Sequence, residues 1–67
     1  MTDEALVERI VAAARAPDQT TATEIALLRA IASTRDEGRR AAMQRSAVDV
    51  LGTVTSVAAS IIRAILL

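Results

Sequence analysis

Residues 48–67 read "VDVLGTVTSVAASIIRAILL", and among them only Asp49 and Arg63 carry charge. So long an aliphatic stretch must be hidden somewhere. A chain of 67 residues has room for one domain and barely enough interior for one core. Scaffolds of this size commonly depend on a disulfide, a metal or association with other copies. The sequence contains no Cys and no His. Disulfides and thiolate metal sites are thereby excluded, and the commonest metal ligand and general base is missing. Association is the means of burial left.

The start of the chain reads as a helix. Thr2 is a favourable N-cap, and Asp3 and Glu4 place negative charge in the first turn, where the helix dipole favours it. Leu6, Ile10 and Ala13, flanked by Val7, Val11 and Ala14, then recur at helical spacing. A helix is expected over about 3–15. Pro17 disfavours helical geometry at Ala16 and Asp18 is a turn former, which places a loop at 16–20. Thr21 with Glu24 three residues on is a capping box, and Ile25, Leu28 and Ile31 open a second stripe with Leu27 beside it.

The stretch "STRDEGRRAA" at 33–42 has two readings. Gly38 is a candidate helix terminator, but Arg39, Arg40, Ala41 and Ala42 after it offer no residue to cap a new start. Asp36 and Arg40 are spaced as an exposed helical pair. The favoured expectation is therefore an all-α helical hairpin in a single domain, 1–67, with one long helix over about 21–66 weakened at Gly38. The alternative is a three-helix bundle with a turn at Gly38.

From Met43 the apolar positions are regular. Met43, Ala47, Val50, Val54, Val57 and Ile61 alternate steps of four and three, the pattern of a coiled-coil seam. Leu51, Ala58, Ile62 and Ile65 form a second stripe, and Gly52, Ser56, Ser60 and Ala64 a row of small residues that lets another helix approach closely. A hairpin covers only about residues 21–35 with its first helix, which leaves the rest bare, well beyond the apolar patch a monomer tolerates. The expected interface is Met43, Ala47, Val50, Leu51, Gly52, Val54, Ser56, Val57, Ser60, Ile61, Ile62 and Ile65. Its expected partner is another copy, in a homo-oligomer or filament, or a different protein. A bilayer receiving residues 48–67 is the alternative, although no Trp, Tyr or basic cluster marks a membrane interface. Docking of the tail into a larger protein's groove is a third reading.

Chemistry is sparse. Ser46, Ser56 and Ser60 have no His or Lys to activate them, the two glycines do not make a phosphate loop, and Glu4 with Glu8 lacks further ligands for a cation. No enzyme activity, cofactor, metal or small-molecule substrate is expected. Arg35, Arg39, Arg40 and Arg45 cluster locally, but Asp36, Glu37 and Asp49 lie among them and no aromatic is present for base stacking. With eight basic residues balancing eight acidic ones, nucleic acid is not an expected partner. The acidic first turn does not read as a cleavable export signal.

"APDQ" at 16–19, with "AMQRSAVDVL" and "SIIRAILL" in the C-terminal half, resembles the interhelical turn and C-terminal helix of the needle and inner-rod subunits of type III secretion systems. The turn here has a single Pro and the helix no aromatic, departures from the family's pattern. The resemblance implies a hollow filament for protein export, with Val50, Val54, Val57, Ile61 and Ile65 between subunits. It also implies export of the subunit by its own specialised machinery.

Overall fold

The computed structural model describes residues 1–34 and 36–66; Arg35, of the basic cluster, and Leu67, at the end of the tail, lie outside the described residues. The described residues form four helices and no strand: α1 (Asp3–Arg15), α2 (Ala22–Ser33), α3 (Glu37–Leu51) and α4 (Ser56–Leu66), with one 3-10 turn at Pro17–Gln19 between the first two. Two starts use the caps expected from sequence. The Thr2 hydroxyl accepts from the Ala5 amide at 3.2 Å, and that of Thr21 accepts from Glu24 at 3.1 Å. The Thr20 hydroxyl closes the other side of the turn, donating to the carbonyl of Ala16 at 2.9 Å and lying 3.3 Å from that of Ala13. Carbonyls that α1 leaves without helical partners are satisfied in this way.

The long helix expected over 21–66 is three helices, neither the hairpin nor the three-helix alternative. α2 ends where Ser33 and Thr34 turn their hydroxyls back onto the carbonyls of Ala30 and Ile31, at 2.9 and 2.7 Å. A new helix starts at once because Asp36 is an N-cap: its carboxylate accepts from the Arg39 amide at 2.8 Å. Gly38 is therefore not the turn but the second residue of α3. The pairing expected between Asp36 and Arg40 also gives way, since Arg40 approaches Glu37 instead, at 3.7 Å.

The second break is at Gly52. Its φ of 73° and ψ of −89° lie close to a strained γ-turn that L residues seldom enter, and its amide closes α3 on the Val48 carbonyl at 3.0 Å. Thr55 caps the next helix, accepting from the Ala58 amide at 3.2 Å. The seam of alternating steps thus crosses a corner, and its residues do not share one face.

α1 and α4 form the centre of the molecule. Each packs against all three other helices, whereas α2 and α3 flank them and make no comparable contact with each other. Burial follows this division: α1 buries Leu6, Val7, Ile10, Val11, Ala13 and Ala14, and α4 buries Ala58, Ile61, Ile62, Ile65 and Leu66. The flanking helices add Leu28 and Ala32 from α2 and Met43 and Ala47 from α3 to the same cluster. α1 and α3 run in the same direction. Their first turns are joined by Arg39 and Asp3, at 2.7 and 3.0 Å, and near their last turns Arg15 donates to the Val50 carbonyl at 3.5 Å.

The breaks settle where the tail goes. A radius of gyration of 10.5 Å is that of a compact chain, for which size scaling gives about 11 Å. The accessible surface, 4245 Å², is close to the roughly 4,000 Å² expected of a folded monomer of 7.0 kDa. The expectation that the tail needs another molecule rested on a rod too long for α1 to cover. Folded back at Gly52, the aliphatics of α4 are covered by α1 and α2 instead.

Candidate interaction surface

The fold separates the twelve residues expected at an interface. Met43, Ala47, Ile61, Ile62 and Ile65 are buried inside the chain's own core, and Leu51 and Val54 pack half-buried against it. Gly52, Ser56 and Ser60 are exposed, but Gly52 is in the corner and the Ser60 hydroxyl is turned onto the Ser56 carbonyl at 3.0 Å. The small-residue row therefore does not run along one continuous helix. Val50 and Val57 stay outside, 56% and 53% exposed. Among the described residues, the other large apolar one left mostly in solvent, apart from Met1, is Leu27 on α2, at 55%.

Two of these aliphatics stand beside open clefts. Between α1 and α3 lies a cleft of about 440 Å³ with Val7, Ala42 and Met43 in its lining and Val50 at one end. Its rim is acidic, with Asp3, Glu4 and Glu8 against Arg39 alone. The Asp3 hydrogen bond, and after it the Asp3 charge, holds the Arg39 guanidinium pKa above its already high ordinary value. The second cleft, about 520 Å³, separates α1 from α2. Ala12 and Ala13 contribute from α1, Ala16 from just past its end, Leu27 and Leu28 from α2, and Arg9 and Glu24 bring one charge of each sign.

Sequence patterning did not single out the α1–α2 cleft. Glu24 read as part of a capping box, and Ala12 and Ala16 carry no signal of their own. The available clue was that α1 and α2 flank a short turn, so residues on their facing sides must meet. Small side chains there leave space between the helix axes.

No described group of three or more Asp or Glu residues is placed to hold a metal ion. Of residues 48–67, weighed for insertion into a bilayer, the described ones, 48–66, are divided among the end of α3, the corner and α4. Among the described residues no helix is long and apolar enough to cross a membrane. No family model, curated protein or solved structure matches this chain.

Proposed function

We propose that this chain is a non-catalytic structural subunit that works by associating with copies of itself. The observation that carries this reading is the pairing of exposed aliphatics with clefts: Leu27 and Val50 are each more than half exposed and each borders an open, partly apolar cleft. A lone exposed aliphatic is ordinary on a protein surface. An aliphatic beside an unfilled cleft, on a chain with a core of its own, is a knob and hole awaiting a partner surface. The sequence supplies no His or Cys and no Lys to activate its serines, which favours assembly over chemistry.

Sedimentation equilibrium from micromolar to millimolar protein tests the reading. An apparent mass rising above 7.0 kDa with concentration is expected, and that of a single chain throughout would overturn it. A needle- or rod-type filament, the form implied by the family resemblance, additionally requires the breaks at Asp36 and Gly52 to straighten on assembly. Negative-stain imaging of any large species tests that form, with a helical rod expected for it and discrete globular particles against it.

A further inference from the structure

Resting on the self-association reading, we infer that the α1–α2 cleft is the interface, and that it binds the same cleft of a second copy across a two-fold axis. In a two-fold interface the same patch serves both sides, so each element must find its complement within the patch itself. This cleft meets that condition twice. Leu27 lines it while 55% exposed, and Ala12, Ala13 and Ala16 line it with small side chains. The cleft also holds one cation and one anion, Arg9 on α1 and Glu24 on α2. Neither is in an ion pair with another described residue, and the only contact shown for the Glu24 carboxylate is a 3.4 Å hydrogen bond from the Thr21 hydroxyl. Laid face to face, each copy's Leu27 rests over the other's alanines, and each Arg9 meets the other's Glu24.

The α1–α3 cleft fails the same condition. Its cation, Arg39, is already held by Asp3 at 2.7 Å, which leaves Glu4 and Glu8 to face their own images. Like charges set opposite each other across an interface are strongly unfavourable. The charge pattern therefore selects between the two clefts.

Two single variants test the pairing, Arg9→Glu and Glu24→Arg, each exposed on its helix and checked for unchanged helicity by circular dichroism. Alone, each sets like charges opposite each other twice in the homodimer, and its self-association is expected to weaken at least about tenfold. Mixed in equal amounts, the two become complementary at both pairs, because one copy carries only acids at 9 and 24 and the other only arginines. The mixture is expected to recover the wild-type dimer, which a salt bridge within one chain cannot produce. Leu27→Asp, which puts charge over the alanines, is expected to abolish association of the wild type and of the mixture alike. A wild-type dimer unaffected by any of these variants overturns the cleft assignment while leaving self-association standing. Weakened single variants that do not recover on mixing overturn the reciprocal pairing. A wild-type chain that stays a single 7.0 kDa species overturns the self-association reading, and this inference with it.

Discussion

Replacing Gly52 with Ala distinguishes a broken C-terminal helix from a continuous one by the sign of a stability change. In the structure Gly52 has φ 73°, and a Cβ built there would meet nothing within 4 Å. The substitution therefore adds no collision, and its effect is that of placing an L residue at positive φ. Such strain is worth about 1–3 kcal/mol. The reduced freedom of Ala in the unfolded chain returns about 0.4–1 kcal/mol. A net loss of about 1–2 kcal/mol is expected, against a total of about 3–10 kcal/mol for a domain of this length. At about 4–8 °C per kcal/mol, Tm should fall by roughly 4–16 °C. If Gly52 lay inside one long helix, the same change would stabilise by about 1 kcal/mol, since Ala is the better helix former. Thermal unfolding followed by circular dichroism at one fixed protein concentration reads the difference. A rise in Tm would refute the corner at Gly52 and everything derived from it. D-alanine at position 52, introduced by chemical synthesis, favours positive φ and should raise Tm, separating torsional strain from a general intolerance of side chains.

Other substitutions probe other parts of the fold. Asp36→Ala and Thr55→Ala each remove an N-cap and should each lower stability by about 1 kcal/mol in urea titration with an unchanged m-value. Equal stability for Asp36→Ala and wild type would mean that α3 does not begin there. Ile62→Ala, at a fully buried position, should lose about 2–5 kcal/mol, while Val57→Ala, at an exposed one, should stay within about 0.5 kcal/mol. Similar losses at both would restore the continuous seam. Arg39→Gln removes the tie to Asp3 and should lower Tm slightly at low salt, with the difference fading as salt screens the exposed pair. Because the raised Arg39 pKa keeps the guanidinium charged up to strongly alkaline pH, that difference should be the same from neutral to moderately alkaline conditions. Loss of the difference at mildly alkaline pH would show that another group carries it.

The N-terminal half was legible because its signals are local. Thr2, Pro17 and Thr21 act within four residues of themselves, and each does in the structure what its chemistry implies. The C-terminal half was misread because two capping residues resemble something else. Asp36 looks like one member of a helical ion pair until its carboxylate is seen on the Arg39 amide. Gly52 looks like one member of a small-residue row along a continuous helix, whereas it ends α3, and Thr55 caps the helix that follows. The apolar steps from Met43 to Ile61 continue through that corner by coincidence of spacing, and periodicity along a chain does not record a change of axis. The α1–α2 cleft was invisible for a different reason: it is defined by the small size of Ala12 and Ala16, and alanine is common on any helix surface.

The central pairing of α1 with α4 has a kinetic consequence. Ile10 and Ile62 lie in one cluster yet are separated by most of the sequence, so completing the core requires the closure of one of the longest loops in the chain. The helices formed in between, α2 and α3, lend only two buried side chains each and have little to stabilise them until that closure occurs. The described buried side chains form one cluster drawn from all four helices, so the core is shared between the α1–α2 and α3–α4 halves. The slowest-exchanging amides of α1 and α4 should therefore open together in a single global event, with no partly folded form for either half to populate.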